Sequence, residues 1–92
     1  MTFEWDAAKA EQNVAKHGVR FELAAGVFLD LHRVDQKDDR RDYGEERRLT
    51  CGRIEGRLYS VAYTWRGELF RLISARKAND RELREYDKAL HT

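Results

Sequence analysis

Residues 47–77 are RRLTCGRIEGRLYSVAYTWRGELFRLISARK, and this stretch decides the fold. Runs rich in apolar, β-branched and aromatic residues alternate here with turn pairs, in the order 47–54, Glu55-Gly56, 57–65, Arg66-Gly67 and 69–75. Strands joined by such tight turns pair with their sequence neighbours, so the stretch predicts an antiparallel meander. Regular alternation in the last strand places Arg76 and Lys77 on opposite faces, and a bulge near Ser74 would change which residues share a face.

The residues before this meander predict a short strand and two helices. Residues 3–5 alternate like a strand, and Asp6 is placed to cap a helix that runs to about His17. Gly18 follows as the left-handed residue that ends the helix. The apolar stripe of this helix is predicted to comprise Ala7, Ala10, Val14 and His17. A second helical face is predicted in the core despite the cost of about 1 kcal/mol for Gly26, and it comprises Phe21, Ala24, Ala25, Phe28 and Leu31.

The remaining segments complete the predicted domain. Residues 32–37 predict a short edge strand and residues 38–44 an exposed loop, while Asn79 with Glu82 forms a capping box for a last helix. The apolar stripe of that helix is predicted to comprise Leu83, Tyr86 and Leu90. We therefore expect one α+β domain over residues 1–92, in which an N-terminal strand and two helices pack on an antiparallel sheet with a C-terminal helix.

The charge of the chain is distributed unevenly along the sequence. Residues 1–46 hold seven Lys and Arg against eleven Asp and Glu, whereas residues 47–92 hold eleven against six, so the balances are −4 and +5. Within residues 47–77, eight basic residues, seven of them arginines, face only Glu55 and Glu68. Because a planar guanidinium binds phosphate in a bidentate manner and stacks on bases, this pattern indicates a polyanionic partner.

The composition also argues against several classes of protein. The single cysteine, Cys51, cannot form an internal disulfide, and the three histidines show no zinc-ligand spacing with it, so we expect no metal, no cofactor and a cytoplasmic location. No apolar run approaches the roughly 20 residues that span a bilayer. Met1 is followed by an acidic and aromatic segment, so the sequence predicts neither secretion nor membrane insertion.

Motifs over nearly the whole chain resemble those of one bacterial family. The motifs of the first half are Phe3-Glu4-Trp5-Asp6, Lys9-Ala10, Asn13, Lys16-His17-Gly18-Val19 and Phe21-Glu22. Those of the second half are Gly44-Glu45-Glu46-Arg47, Gly52-Arg53, Tyr63-Thr64-Trp65-Arg66-Gly67, Ile73-Ser74-Ala75-Arg76-Lys77-Ala78, Arg81-Glu82 and Tyr86. In this order they resemble the BrnT toxins of bacterial toxin–antitoxin pairs, and only residues 31–42 lack a counterpart.

The resemblance implies a RelE-like fold and a type II toxin that inhibits translation by cleaving RNA, free or ribosome-associated mRNA. It also implies neutralisation by a BrnA-like antitoxin with a ribbon-helix-helix domain, so that operator DNA is contacted only through the antitoxin. We expect cleavage without a metal ion. The alternative is a non-catalytic interaction module that binds a ribbon-helix-helix repressor and regulates DNA together with it.

Cleavage of RNA without a metal requires a site to deprotonate the 2′-hydroxyl, stabilise the phosphorane and protonate the 5′-oxygen. The histidines form no evident acid–base pair in the sequence. Arginines on the predicted strands are the expected phosphate ligands, namely Arg53, Arg66, Arg71 and Arg76. Three residues are equal candidates for proton transfer, namely Lys77, Tyr63 and Glu46.

Arg76 is the first choice for the phosphate contact, because it ends a strand beside the last helix, whose N-terminus favours an anion. Tyr63 and Trp65 share a face of their strand. They are expected either to stack an unpaired base, for roughly 1–3 kcal/mol, or to pack in the core. Arg66, in the turn that follows, would then reach a flanking phosphate.

Other polar residues receive simpler interpretations. Arg48 is a further candidate for RNA contact. His17 is interpreted as a structural residue at a helix end, since a positive charge there is favourable, rather than as a catalyst. Cys51 alternates with Leu49 on the face expected to be buried, and the charges at 38–42 are expected to be solvated or to contact the antitoxin.

Overall fold

The computed structural model describes residues 1–92 and contains one mixed five-stranded sheet with helices. In chain order the elements are β1 (Thr2–Glu4), α1 (Ala7–His17), α2 (Phe21–Ala24), a short 3-10 helix (Ala25–Leu29), β2 (Val34–Lys37), β3 (Arg48–Ile54), β4 (Arg57–Arg66), β5 (Leu69–Lys77) and α3 (Asp80–Leu90). The strand order is β1-β5-β4-β3-β2. The α+β class and the antiparallel meander β3-β4-β5 are confirmed. A fully antiparallel sheet is wrong, because β1 pairs parallel with β5.

Helix α1 begins and ends at the residues that the sequence predicts. The Asp6 carboxylate accepts a hydrogen bond of 3.0 Å from the Lys9 amide, and Gly18 adopts a left-handed φ of 69° while its amide donates to the Val14 carbonyl. The predicted apolar stripe is only partly right, since Ala10 packs against the core but Val14 is 44% exposed and the buried residue of the helix is Asn13. The reason is that α1 packs along β5 at the sheet edge rather than across a sheet face.

The Asn13 side chain takes the place of a neighbouring strand beside β5. The pairing of β1 with β5 ends at Glu4 and Arg71, so the backbone of β5 beyond that point is an open edge. Asn13 Oδ1 accepts from the Ala75 amide at 3.0 Å, and Asn13 Nδ2 donates to the Ala75 and Val19 carbonyls at 2.8 Å each. These buried hydrogen bonds satisfy the open backbone and hold α1 against β5.

The second predicted helix is shorter than expected. Helix α2 gives way to the 3-10 helix after one turn, and Leu31 lies beyond both, 96% exposed. The 3-10 helix packs so closely on β3 that a Cβ built on Gly52 would lie 2.8 Å from the Val27 carbonyl oxygen. The predicted core residues Phe21 and Phe28 are buried, whereas the helix ends before it could bury Leu31.

The core lies between the segment 19–28 and one face of the sheet, here called the core face. Its buried apolar residues are Val19, Phe21, Ala24, Val27, Phe28, Val61, Tyr63, Leu72 and Ala75. The ring of Phe28 lies 4.9 Å from that of Tyr63 and 5.2 Å from that of Phe70, between centroids. The opposite face of the sheet, here called the groove face, is therefore left for other contacts.

A bulge in β5 determines which side chains the groove face carries. The pairing of β4 with β5 shifts by one residue, which makes Ile73 the extra residue of β5. Leu72 and Ala75, three positions apart, consequently both point into the core. Ser74 and Arg76 point to the groove face, so the bulge alternative for this strand is the one that the structure has.

The two faces of β3 are the reverse of the prediction. Thr50 and Gly52 are buried on the core face, and Leu49 and Cys51 lie half-buried on the groove face. The close contact between Gly52 and the 3-10 helix sets this orientation. Burial raises the pKa of the Cys51 thiol to about 11, so the thiol is protonated at neutral pH.

Helix α3 begins with the predicted capping box and lies against one end of the groove face. The Asn79 side chain accepts from the Glu82 amide, and the Glu82 carboxylate accepts from the Asn79 amide, both at 2.9 Å. The predicted stripe is only partly right, because Tyr86 is buried but Leu83 and Leu90 are 36% and 38% exposed. Glu82 is buried in their place, where it pairs with a basic residue of the sheet.

Candidate functional site

The part of the groove face beyond α3 forms an open groove of about 670 Å³, here called the central groove. Strands β3, β4 and β5 provide its floor, which comprises Leu49, Ser60, Ala62, Ile73, Ser74 and Arg76. Helix α1 is one wall and contributes Lys9, Gln12, Asn13, Lys16 and His17. The segment between β2 and β3 is the other wall and contributes Asp38, Arg40, Arg41, Tyr43 and Arg47.

The central groove is strongly cationic although the whole chain is nearly neutral. With histidine neutral, its six basic side chains and single carboxylate give a balance of +5, against +1 for the chain. The basic residues are Lys9, Lys16, Arg40, Arg41, Arg47 and Arg76. A concave surface of one charge sign concentrates counter-ions, so the groove is suited to a polyanion.

The single carboxylate of the groove, that of Asp38, organises the loop wall. Asp38 is 4% exposed and accepts two hydrogen bonds of 2.8 Å from the Arg40 guanidinium, and Tyr43 donates to it at 3.1 Å. Hydrogen bonding to Arg40 lowers the pKa of Asp38 to about 2. The carboxylate is therefore ionised at neutral pH and serves as an anchor for this wall.

The ring of Tyr43 carries two further guanidinium groups of the loop wall. The Arg47 Cζ atom lies 4.1 Å and the Arg41 Cζ atom 5.2 Å from the ring centroid. Arg47 Nε is buried without a hydrogen-bond partner, and the nearest carboxylate oxygen, that of Glu45, lies 3.6 Å away. Stacking on one aromatic ring thus holds two positive charges beside the groove.

Arg76, the one basic residue of the groove floor, is fixed by α3. Its guanidinium donates to both carboxylate oxygens of Glu82, at 2.7 and 3.1 Å, and to the Lys77 carbonyl at 3.3 Å. Arg76 lowers the pKa of Glu82 against the opposing effect of burial, so this pair is ionised. Beside it in register, Ser60 is 2% exposed and its hydroxyl has no hydrogen-bond partner.

His17 occupies the end of the α1 wall. It is half-buried, its side chain makes no hydrogen bond or ion pair with the rest of the chain, and Gly18 ends the helix directly after it. Asn13, one helical turn earlier, is bonded to the backbone of Ala75, the residue next to Arg76. The fold therefore brings the imidazole and the floor guanidinium to the same groove.

Of the predicted phosphate ligands and RNA contacts, only Arg76 lies in the central groove. Three other predicted arginines form ion pairs at separate places: Arg48 with Asp35, Arg53 with Asp87 at 3.3 Å and Arg71 with Glu4 at 3.3 Å. The arginines predicted as phosphate ligands and RNA contacts therefore do not form one cationic patch along the last strands. The reason is that each of these strands also faces carboxylates from β1, β2 or α3.

Two predicted RNA-contacting residues and a proton-transfer candidate meet at the far end of β4. Trp65, Arg66 and Glu46 line a shallow depression there, outside the central groove. Trp65 is 40% exposed, and the Arg48 guanidinium lies 5.8 Å from its ring. This end of the sheet offers an exposed aromatic face, separate from the groove.

The other two candidates for proton transfer lie on the core face. Tyr63 is 3% exposed and packs in the core, where its hydroxyl donates to Asp35. Burial, and after it the Asp35 carboxylate, raises the pKa of Tyr63 to about 12, which disfavours its phenolate at neutral pH. Lys77 is exposed at the end of β5, opposite in direction to Arg76. The three predicted candidates are therefore not brought together.

Sequence reasoning missed most of the groove walls. The signal in α1 was polar: Lys9, Asn13, Lys16 and His17 recur at helical spacing and share a side of the helix. The apolar stripe predicted for the same helix is weaker than this polar pattern. The cations at 40, 41 and 47 lie in a loop without periodicity, and no sequence signal locates a loop over a sheet.

Other kinds of site find less support in the structure. No three carboxylate, histidine or cysteine side chains converge so as to hold a metal ion. None of the helices combines the length and the apolar character that crossing a membrane requires. The central groove is therefore the feature on which a functional argument rests.

Comparison with known proteins places the chain in a family. The model of a protein family described as "Ribonuclease toxin, BrnT, of type II toxin-antitoxin system" matches residues 5–82, well over half of the chain. This span includes every residue that lines the central groove. No curated protein matches the sequence.

Proposed function

The chain belongs to the BrnT family of ribonuclease toxins, and we propose that it is an endoribonuclease that cleaves single-stranded RNA in the central groove without a metal ion. The observation that carries the proposal is the charge of the groove, in which six basic side chains face one carboxylate. Phosphate contacts supply much of the affinity of proteins for nucleic acids. The groove is concave and open to solvent, so it can admit a strand of the RNA backbone.

Arg76 is the residue that contacts the scissile phosphate in this proposal. Three of the five guanidinium N–H donors are used by Glu82 and the Lys77 carbonyl, which leaves Nε–H and one Nη2–H for a ligand. Glu82 holds the guanidinium in one orientation before RNA arrives. Donors fixed in advance stabilise developing charge without reorganisation, so Arg76 is suited to the phosphorane transition state.

The reaction is an attack by the 2′-hydroxyl oxygen on the adjacent phosphorus. The O2′–P bond forms, the P–O5′ bond breaks, and the products are a 2′,3′-cyclic phosphate and a 5′-hydroxyl. Cations on both walls hold the flanking phosphates, which keeps the attacking and leaving oxygens in line. The protein supplies positioning and electrostatic stabilisation, while the 2′-hydroxyl loses a proton and the departing 5′-oxygen gains one.

The partner in this proposal is a BrnA-like antitoxin. A type II toxin is neutralised by a protein partner, and the family description implies one here. We assign to it a ribbon-helix-helix domain, so that operator DNA is contacted by the antitoxin and not by this chain. The toxin acts in the cytoplasm on mRNA, with translation as the process that it inhibits.

The test is cleavage of a single-stranded RNA in the presence of EDTA. Wild-type protein should produce 2′,3′-cyclic phosphate ends. Because Arg76→Ala alone would leave the buried Glu82 without its partner, the informative variant is Arg76→Gln with Glu82→Gln, which removes both charges. Loss of one electrostatic donor should lower the rate about 10²- to 10³-fold.

The matched control is Arg57→Gln, because Arg57 is exposed at the β3–β4 hairpin, has no ion-pair partner and lies outside the groove. Cleavage by this variant should equal that of wild type. RNA left intact by correctly folded wild type in EDTA contradicts metal-independent cleavage. Equal rates for the double variant and for Arg57→Gln contradict the role of Arg76.

The non-catalytic alternative has one observation in its favour, the ion pairing of Arg48, Arg53, Arg71 and Arg76 within the chain. In that case the protein would bind an antitoxin and RNA would not be turned over. The same assay separates the two, since RNA left intact by a folded protein that binds an antitoxin supports the interaction module. Any binding of RNA should also weaken as the salt concentration rises. The logarithm of the binding constant should fall against the logarithm of the salt concentration with a slope of about −0.7 per phosphate contact for single strands.

A further inference from the structure

The central groove contains one side chain of the type that exchanges protons near neutral pH, the imidazole of His17. We propose that His17 is the general base that removes the proton from the attacking 2′-hydroxyl. This inference rests on the proposed function, because it names the proton acceptor for RNA cleavage in the same groove. It replaces the interpretation of His17 as a purely structural helix-end residue.

Elimination among the other groups of the groove supports this assignment. The carboxylate of Asp38 is held by Arg40 and has a pKa of about 2, so it is a poor proton acceptor at neutral pH. Glu82 accepts hydrogen bonds from Arg76 and from the Asn79 amide. The remaining titratable groups of the walls are cations and the phenol of Tyr43, whose hydroxyl donates to Asp38.

The position of His17 is fixed relative to the floor of the groove. Asn13 lies one turn before it on α1 and is bonded to the amide and the carbonyl of Ala75. Ala75 is followed directly by Arg76, so one buried amide ties the wall that carries the imidazole to the strand that carries the guanidinium. The imidazole has no partner within the chain, which leaves its nitrogens available to a ligand in the groove.

One water molecule is enough to balance the protons of this step. The neutral imidazole of His17 accepts the proton of the 2′-hydroxyl as the O2′–P bond forms. The P–O5′ bond breaks, and the 5′-oxygen takes a proton from water. The resulting hydroxide takes the proton from the imidazolium, which returns His17 to its neutral form.

The charged groups at this part of the groove come from α1, the loop wall, β5 and α3. They are Lys9 and Lys16 of α1, Asp38, Arg40, Arg41 and Arg47 of the loop wall, and Arg76 with its partner Glu82. The pKa values of both carboxylates, Asp38 and Glu82, are lowered, so both are ionised at neutral pH. His17 is the one histidine among the residues that line the groove, so its variants test whether the pH dependence of cleavage comes from an imidazole.

The test compares His17→Gln and His17→Ala with the exposed control His91→Gln, which lies outside the groove. Both His17 variants should lower the cleavage rate about 10²- to 10⁴-fold, as expected for loss of a general base. They should also lose the acidic limb of the pH–rate profile and keep the RNA affinity of wild type. The second readout is a substrate with a 5′-bridging sulfur, whose thiolate leaves without protonation.

The role as base predicts that the sulfur substrate does not restore cleavage by His17→Gln. Restoration would show that His17 acts on the leaving group and would overturn the assignment as base. Equal rates for His17→Gln and His91→Gln in folded proteins would overturn any proton-transfer role. Absence of cleavage by wild type would instead refute the proposed function, so the two failures are distinguishable.

Discussion

Replacement of Asn13 by alanine should destabilise the protein and open the central groove. The side chain makes three buried hydrogen bonds, to the Ala75 amide and to the Ala75 and Val19 carbonyls. Each typically contributes about 0.5–1.5 kcal/mol, and the variant would leave all three backbone groups buried and unpaired. We expect a loss of about 2–4 kcal/mol, a large part of the roughly 5–14 kcal/mol available to a domain of this size.

Urea denaturation followed by circular dichroism measures this loss. With a slope of about 1.5 kcal/mol per molar, a loss of about 3 kcal/mol lowers the midpoint by about 2 M. The matched control is Gln12→Ala, since Gln12 is the adjacent residue of α1, is exposed and has no side-chain hydrogen bond. Its effect should stay within about 0.5 kcal/mol. If Asn13→Ala and Gln12→Ala have the same midpoint, the Asn13 amide does not hold α1 to β5.

Three other predictions concern separate parts of the fold. Gly52→Ala should destabilise by about 1–3 kcal/mol in a thermal melt, because the added Cβ would meet the Val27 backbone at 2.8 Å; an unchanged melting temperature would contradict this packing. Hydrogen bonding to Arg40 lowers the pKa of Asp38 from 3.8 to about 2, so its contribution is complete above about pH 4 and is lost as the pH falls toward 2. Urea midpoints of Asp38→Asn should therefore differ from wild type at pH 7 and converge on it at pH 2. Tyr63→Phe should cost about 1 kcal/mol of stability and leave RNA cleavage unchanged, whereas a large loss of cleavage would restore Tyr63 as a proton-transfer candidate.

Local chemistry made much of the fold predictable from the sequence. The carboxylate of Asp6, the left-handed Gly18 and the reciprocal pair Asn79 and Glu82 each act within a few residues of their own position. The two-residue hairpin connection predicted at Glu55-Gly56 is present, with positive φ at both residues as a type I′ turn requires. Such caps and turns depend only on neighbouring residues, so they can be predicted without knowledge of the tertiary contacts.

Contacts between distant segments set the features that the sequence did not disclose. The parallel pairing of β1 with β5 joins residues 2–4 to 69–71, and no turn signal marks it. The one-residue shift at Ile73 depends on the pairing of β4 with β5. The buried face of α1 contains Asn13 because the helix meets a strand edge, where an amide bonds better than an apolar side chain. The groove follows from these three features together. The polar spacing on α1 marks one wall in the sequence, but patterning could not show that this wall faces a loop across the sheet.

The ion pairs of the sheet arginines bear directly on whether the groove can bind RNA. Ion pairing with carboxylates weakens the positive electrostatic potential around Arg48, Arg53 and Arg71. All three residues lie outside the groove. On the walls, by contrast, three cations have no carboxylate within ion-pair distance, namely Lys9, Lys16 and Arg41, and only Arg40 is bidentate to a groove carboxylate. The positive charge offered to an RNA strand therefore comes chiefly from α1 and the loop, while Arg76 is oriented on the floor by a carboxylate behind it. The affinity for RNA should then depend most on the lysines and arginines of the two walls, and the turnover number most on Arg76 and His17. A substitution of Lys16 that lowered the turnover number without weakening RNA binding would contradict this division of roles.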